Sequence, residues 1–223
     1  LCPTGLRCSG RRNGLMSMDT FHTVMEDLGD TLTMAVMYSW GEPFLNPNMP
    51  AMVAECTARN IVTVTATNGQ HLQTPEEARK VVDAGLDGLV IAMDGFTQET
   101  YERYRNGGEV EKVKRCVRMV EEAKRRAGSD TPRTCVRMVL MDPNQQEMED
   151  IRRFARDVGA DVFAVKRVSS QGQNGDFTRY QDPEAEQRLY ARGRTEDFLP
   201  LCPAPFQQPC VFWDGTVVGC EYD

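Results

Sequence analysis

Four cysteines lie in predicted loops or at predicted strand ends, each beside proline or glycine, where a thiolate could face a metal: Cys2, Cys202, Cys210 and Cys220. Thiolates are ligands of zinc and of iron–sulfur clusters. The sequence of 223 residues has only two histidines, so His-based zinc or mononuclear iron sites are poorly supported. The eight cysteines are also too scattered for a single zinc module. Thiolate ligation is therefore the metal chemistry to consider.

The other four cysteines have weaker claims to chemistry. Cys56, Cys116 and Cys135 fall within predicted regular elements, which favours buried, small hydrophobic side chains. Cys8 lies in a polar, Gly- and Arg-rich loop, and its type and position leave a ligand, a reactive thiol or a bystander open.

Gly41-Glu42-Pro43 separates a predicted strand from a predicted helix. Gly41 permits close approach of the backbone to a ligand, Glu42 offers an acceptor for an ammonium group, and Pro43 stiffens the turn. Taken alone, the tripeptide is more typical of an ordinary βα turn with an exposed glutamate. Its neighbours along the chain change that interpretation.

Helices and strands are predicted to alternate along the chain, with strands rich in β-branched residues. This alternation indicates repeated βαβ units and a parallel sheet, open or curled into a barrel. The predicted helices are 19–28, 48–59, 75–84, 98–104, 110–127 and 145–158; the predicted strands are 32–38, 61–66, 88–93, 134–140 and 161–165.

Polar groups follow three of these strands: Gly41-Glu42-Pro43, Thr67-Asn68-Gly69 and Asp94-Gly95. Ligands of parallel sheets bind where the strands end, so these groups should converge at one edge. Turn formation is an adequate explanation of Thr67-Asn68-Gly69 or Asp94-Gly95 taken singly. Near the end of the sequence, Asp214-Gly215 is typical of a two-residue hairpin turn.

The composition predicts a globular, cytoplasmic protein. A net charge of −7 and a pI near 5.0 disfavour nucleic acid or an anionic membrane as partner. No apolar run approaches the length of a membrane span. The sequence opens on Leu1-Cys2-Pro3 without a methionine, which suggests a fragment that lacks its true beginning.

In combination, these motifs resemble the radical S-adenosylmethionine (radical SAM) enzymes, in particular members with a C-terminal SPASM or twitch domain. Cys2-Pro3 resembles the end of the CxxxCxxC motif, Gly41-Glu42-Pro43 the glycine-rich SAM motif, and Thr67-Asn68-Gly69 the third-strand end. Residues 91–95 resemble the Ser-Ile-Asp-Gly segment, and residues 101–108 the segment that follows it. The spacing of Cys202, Gly215 and Cys220 resembles the opening of the auxiliary-cluster domain.

The resemblance implies an α/β fold with a partial (βα)6 barrel in residues 1–168, whose first strand and first two cluster cysteines are missing upstream. A bridge, 169–200, and the start of the auxiliary domain, 201–223, would follow. The implied cofactors are SAM, a four-iron four-sulfur (4Fe-4S) cluster and a probable auxiliary 4Fe-4S cluster. A flavodoxin or ferredoxin would supply electrons.

The resemblance also implies roles for individual residues. Cys2 would ligate the SAM cluster, and Cys202 and Cys220 the auxiliary cluster, while Cys210 would be a further ligand or a hydrogen-atom donor. Glu42 would bind the SAM ammonium and Arg105 its carboxylate, with Asn68 or Asp94 near ribose or substrate. Ala92 departs from the family pattern, which often has a serine there.

The implied reaction is reductive cleavage of SAM to a 5′-deoxyadenosyl radical, which abstracts hydrogen from a substrate carbon. Within this class, the sequence slightly favours an oxidoreductase or epimerase acting on an aminoglycoside-type carbohydrate natural product. A peptide or protein side-chain maturase is the close alternative. Two non-radical alternatives also stay open: a βα-barrel lyase with Lys166 as Schiff-base residue, and a barrel that only binds a ligand or partner.

Overall fold

The computed structural model describes residues 12–167 and 207–219. Five parallel strands form one sheet in the order β1-β2-β3-β4-β5. Because all five strands are parallel, their carboxyl ends lie at the same edge. The strands are β1 (Met34–Val36), β2 (Val62–Thr67), β3 (Gly88–Ala92), β4 (Arg133–Leu140) and β5 (Val162–Arg167).

Helices connect consecutive strands, as parallel pairing requires, and a further helix precedes β1. Ser17 caps the helix before β1 through a hydrogen bond from Thr20 N, and Thr74 and Glu77 form a capping box on the helix between β2 and β3. The helices are α1 (Met18–Leu28), α2 (Met49–Ala58), α3 (Pro75–Asp83), α4 (Gln98–Tyr104), α5 (Val110–Ala127) and α6 (Met148–Val158).

The two faces of the sheet differ because strand side chains alternate in direction. On one face the strand residues are buried and share a core cluster with helix residues; examples are Leu89, Ile91, Val136, Val117 and Ile151. The other side, which we call the open face, is half-buried or exposed apart from the small Ala92. The open face includes Val64, Ala66, Val90, Ala92, Cys135, Arg137, Val139, Ala164 and Lys166.

The predicted alternation is confirmed, and the α4 and α5 boundaries match the prediction at both ends. The main differences are two short 3-10 segments. Pro43–Leu45 precedes α2, and Gln145–Glu147 precedes α6, where one longer helix was predicted. The first segment has a clear cause, because Pro43 stands at its start, where the missing N–H has no intrahelical partner.

A small antiparallel hairpin, β6 (Cys210–Val211) and β7 (Val217–Val218), lies near the end of the chain. Its turn contains Asp214 and Gly215, as predicted, and Gly215 has a φ of +83°. The Trp213 indole donates to Arg12 O at 3.0 Å. The hairpin therefore lies beside the segment that leads into α1.

The prediction of buried cysteines is confirmed for Cys56 and Cys116, whereas Cys135 is only half-buried on the open face. Burial raises the pKa of the Cys56 thiol to about 11 and that of Cys116 to about 12, so both stay protonated at neutral pH. The predicted bridge, 169–200, lies outside the described residues. Among the described helices, none is long and apolar enough to cross a membrane.

Candidate functional site

Glu42 stands in the loop after β1 with its carboxylate held by groups from two strand ends. Oε1 accepts hydrogen bonds from Thr67 Oγ1 at 2.8 Å and from Phe44 N at 3.2 Å. Oε2 accepts one from Asn68 N at 2.7 Å. A carboxylate offers about four acceptor positions, so this half-buried group keeps capacity for a further donor, such as an ammonium.

Gly41 gives a ligand room to approach the loop. Its φ is +104°, a conformation that side chains rarely adopt, and no atom lies within 4 Å of the position that a Cβ would take. Two residues earlier, Ser39 Oγ is buried and has no hydrogen-bond partner among the described residues. An open main chain, an unpartnered hydroxyl and an anchored carboxylate fit the amino-acid part of SAM.

The strand end Thr67-Asn68-Gly69 supports Glu42 more than it faces a ligand. Thr67 is buried, and its Oγ1 accepts from Gly69 N at 3.0 Å while donating to Glu42. Asn68 Oδ1 accepts from Gln70 N at 2.9 Å, which closes a local turn. The half-buried Asn68 keeps its side-chain amide donors for a ligand.

Asp94, after β3, is fully buried. Its Oδ2 accepts from Arg105 Nε at 2.7 Å and Nη2 at 2.6 Å, and its Oδ1 accepts from Val139 N at 2.7 Å. Two guanidinium nitrogens thus share one carboxylate oxygen in a charge-assisted contact. Arg105 is 31% exposed, so part of the guanidinium still reaches the surface of the site.

Buried Tyr101 lies between the two carboxylate loops. Gln70 Nε2 donates to its hydroxyl at 3.3 Å, and Glu42, Asp94 and Arg105 all influence its titration. Burial raises the pKa of Tyr101 to about 12, with Arg105 acting in the opposite direction. The hydroxyl therefore stays protonated, and its contact with Gln70 links α4 to the loop after β2.

Two residues that sequence reasoning missed secure the loop after β3. Asn144 Nδ2 donates to Asp94 O at 2.9 Å and to Val139 O at 2.8 Å. Glu147 accepts from Phe96 N at 2.6 Å and from Thr97 Oγ1 at 2.6 Å. No local pattern signals these contacts, since the partners of Glu147 lie about fifty residues away along the chain.

Arg137, also missed, is a candidate of another kind. It lies on the open face in the middle of β4, and its buried Nε has no hydrogen-bond partner in the described part of the chain. A sequence signal for it exists: it is a charged residue within the apolar run Cys135–Leu140 of the strand, on the side opposite to buried Val136 and Met138.

The predicted metal ligands are mostly beyond what the structure describes. Cys2, Cys202 and Cys220 lie outside the described residues, as does Cys8. Cys210 begins β6 and is half-buried. Within 12–167 and 207–219, no group of three or more His, Cys, Asp and Glu side chains is placed to hold a metal ion.

Comparison with known proteins identifies the family. The model of the Radical SAM superfamily matches residues 3–155, which is more than half of the chain. The chain belongs to the radical SAM superfamily. Membership implies SAM and a 4Fe-4S cluster as cofactors and supports an enzymatic role.

Curated relatives include a probable GTP 3′,8-cyclase of Methanococcus maripaludis, 27% identical over 155 residues, with coverage of 69% of this chain and 49% of the relative. A tungsten-containing aldehyde ferredoxin oxidoreductase cofactor-modifying protein of Pyrococcus furiosus is 26% identical over 161 residues, with coverage of 70% and 44%. The chain thus spans about half the length, or less, of these relatives.

Solved structures agree in fold. The chain resembles native anSMEcpe with bound AdoMet, with a TM-score of 0.65, 14% identity and coverage of 96% of this chain and 68% of that one. It also resembles Streptococcus suis SuiB bound to S-adenosylmethionine, with a TM-score of 0.62, 13% identity and coverage of 83% and 42%. The α/β prediction of a partial radical SAM barrel with a small hairpin is therefore confirmed.

Proposed function

We propose that this chain is part of an enzyme that cleaves SAM reductively and uses the resulting carbon radical to abstract hydrogen from a substrate carbon. The observation that carries this proposal is the Glu42 carboxylate, anchored by three donors next to the open main chain of Gly41. When bound, the cluster and SAM supply the low-potential electron and the radical. The side chains of this protein position SAM and the substrate.

Each site residue has a role in that placement. Glu42 accepts from the SAM ammonium, and Asn68 donates its side-chain amide towards ribose or substrate. Some guanidinium N–H groups of Arg105 do not bond to Asp94, and these donate to the SAM carboxylate. Asp94 itself is completely buried, so its role is to orient Arg105. Thr67 and Pro43 likewise act through the position of Glu42.

The cysteines complete the proposal. Cys2 ligates the SAM cluster together with two upstream cysteines, and Cys202 and Cys220 ligate an auxiliary cluster within a SPASM or twitch domain beginning at residue 201. The hairpin supports that domain, because its turn at Asp214-Gly215 lies between two of the cysteines, Cys210 and Cys220. Cys210 is a further ligand or returns a hydrogen atom to the substrate.

Two classes of substrate are considered within this proposal. The predicted aminoglycoside-type sugar stays a prediction, as does dehydrogenation or epimerisation as the outcome. Relatives and structural neighbours include a probable GTP 3′,8-cyclase, a pre-heme d1 synthase and SuiB bound to the precursor peptide SuiA. Both small molecules and peptides are therefore retained as substrates.

A non-radical lyase has less support. A Schiff-base lysine is activated by desolvation or by a neighbouring cation, whereas Lys166 is exposed at the end of β5. Membership of the radical SAM superfamily favours the same conclusion.

The test uses the full-length protein, reconstituted anaerobically with iron and sulfide and reduced with dithionite. We expect release of 5′-deoxyadenosine from SAM, and loss of that release in Cys2→Ala. Glu42→Gln should weaken SAM binding roughly ten- to a hundredfold, because it removes the charge-assisted hydrogen bond to the ammonium, worth about 1.5–3 kcal/mol.

Glu122→Gln is the matched control, since Glu122 lies on α5 and pairs with Arg125 and Arg126 on the surface. Its SAM dissociation constant should equal that of the wild type. The proposal is wrong if iron-loaded protein releases no 5′-deoxyadenosine with any candidate substrate. The assigned role of Glu42 is wrong if Glu42→Gln binds SAM within twofold of wild type.

A further inference from the structure

Arg137 lies at the centre of the open face. Ala92 of β3 and Ala164 of β5 are its neighbours in register, and Cys135 and Val139 precede and follow it on the same face. The two flanking side chains are single methyl groups. They leave space around the guanidinium at the level of the sheet next to the carboxyl edge.

The guanidinium has no partner among the residues that the structure describes. Among the described residues, no carboxylate lies within ion-pairing distance of Arg137 and no acceptor receives a hydrogen bond from it. Its Nε is nevertheless shielded from solvent. Buried donors are nearly always paired in folded proteins, and each exception calls for an explanation such as a missing ligand.

Other cations of the molecule show the contrast. Arg105 is paired with buried Asp94, and Lys124, also buried, is paired with Glu121 and Asp161. In both places a carboxylate compensates the charge. The sheet position of Arg137 is compensated by neither a carboxylate nor a backbone carbonyl among the described residues.

A second cation lies one step closer to the strand ends. Lys166 is the register partner of Val139, two residues beyond Arg137 on the open face, and it is exposed. Of the acids at the carboxyl edge, Asp94 is bound by Arg105, whereas Glu42 is bound by the neutral donors Thr67 and Asn68 and keeps its charge. Among the described residues, neither Arg137 nor Lys166 forms an ion pair with a carboxylate.

We propose that Arg137 binds an anionic group, a carboxylate or a phosphate, of the substrate, with Lys166 as an auxiliary cation. The planar guanidinium presents a fork that matches both anions, and two flanking alanines leave room for bidentate contact. This inference rests on the proposed function, since it treats the open face as the place of the substrate. It favours an anionic substrate over a polycationic sugar.

The test titrates the reconstituted full-length protein with pyrophosphate and with succinate by calorimetry, with SAM already bound. We expect wild-type protein to bind at least one of the two anions, and Arg137→Gln to weaken that binding tenfold or more. The dissociation constant of SAM, measured separately, should stay within twofold. Arg126→Gln, an exposed arginine on α5, should leave both constants unchanged.

Arg137→Lys keeps the charge but not the fork, and it provides a second test if Arg137→Gln does not fold. It should bind the anion more weakly than wild type. Equal weakening of SAM and anion binding in Arg137→Gln would place Arg137 in the SAM site and overturn the inference. It is also overturned if wild-type protein binds neither anion, or if both variants bind as wild type.

Failure of the proposed function has a different signature. If 5′-deoxyadenosine is never released while Arg137→Gln still abolishes anion binding, the anion site stands and the radical reaction does not. If 5′-deoxyadenosine is released normally and anion binding does not change in Arg137→Gln, the radical reaction stands and the anion site does not.

Discussion

The loops after β1 and β3 each carry an acidic residue next to a glycine, yet the structure treats the two acids differently. Glu42 is half-buried, accepts three hydrogen bonds from neutral donors and faces the open main chain of Gly41. Asp94 is fully buried and bound by a guanidinium and an amide. The first keeps acceptor capacity for a ligand; the second belongs to the framework that holds Arg105, the residue that we propose for the SAM carboxylate.

The difference shows that an acid after a strand is not in itself a binding group. The charge of its hydrogen-bond partners decides whether such an acid is available to a ligand. Neutral donors leave the charge of Glu42 uncompensated, whereas Arg105 neutralises the charge of Asp94. The site thus offers a ligand one negatively charged group, the Glu42 carboxylate, and one positively charged group, the Arg105 guanidinium. That combination suits the ammonium and carboxylate of an amino acid.

The largest expected effect is on stability, from Asp94→Asn. The change removes the buried charge and leaves Arg105 without a counterion. Breaking a buried pair costs about 3–5 kcal/mol, and we expect about 3 kcal/mol because Arg105 is partly exposed. Urea unfolding of the full-length protein, followed by fluorescence, measures the loss.

Asp83→Asn is the control for this substitution, since Asp83 pairs with Arg79 on the surface of α3. Surface pairs contribute about 0–1 kcal/mol, so its unfolding midpoint should hardly move. If Asp94→Asn were no more destabilising than Asp83→Asn, Asp94 would be free for a ligand and the contrast with Glu42 would disappear.

Much of this contrast was beyond the reach of the sequence. The alternation of elements followed from β-branched strands and amphipathic helices, and the edge at which Glu42, Asn68 and Asp94 gather followed from parallel pairing. The separate roles of the acids did not, because they depend on donors such as Val139 N, far along the chain from Asp94.

Arg137 shows a further reason. The sequence marks it as a charge within an apolar strand, but only the register reveals that its neighbours are Ala92 and Ala164. Whether a charge has a partner is a property of packing. The sequence therefore predicted the fold and the position of the site better than the state of its individual side chains.

A smaller effect, on SAM affinity, is expected from Thr67→Val. This substitution tests whether Thr67 acts by positioning the Glu42 carboxylate rather than by binding SAM itself. Valine keeps the buried volume but removes the hydroxyl that donates to Glu42 Oε1 and accepts from Gly69 N. One hydrogen bond contributes about 0.5–1.5 kcal/mol. SAM affinity should fall roughly three- to tenfold, less than in Glu42→Gln.

Thr63→Val is the matched control, because Thr63 is equally buried in β2 but bonds to Asp87 at the opposite end of the strand. It should cost stability without changing SAM affinity. Equal losses of SAM affinity in the two variants would mean that the effect of Thr67 is a general loosening of β2. In the double variant with Glu42→Gln, Thr67→Val should add little, since the two act on the same carboxylate.

The smallest effect concerns the framework behind Asp94 and appears in acid. Burial by itself would raise the pKa of Glu147, but hydrogen bonds from Thr97 and the Phe96 amide outweigh it, so the pKa lies below its usual range. A lowered folded-state pKa contributes stability above the unfolded value, about 4.3. This stability is lost as the pH falls through the folded-state pKa.

Glu147→Gln should therefore lower the unfolding free energy at pH 7 and flatten its decline below about pH 4.3, since glutamine does not titrate. The measurement is a series of urea unfolding curves between neutral pH and pH 3, on full-length protein without reconstituted iron. Glu149→Gln, which affects an exposed pair with Arg152, should keep the wild-type slope. A wild-type slope in Glu147→Gln as well would mean that the Glu147 carboxylate does not support the loop that carries Asp94. The stability of that loop would then depend on Asn144, whose amide bonds to Asp94 O do not change with pH.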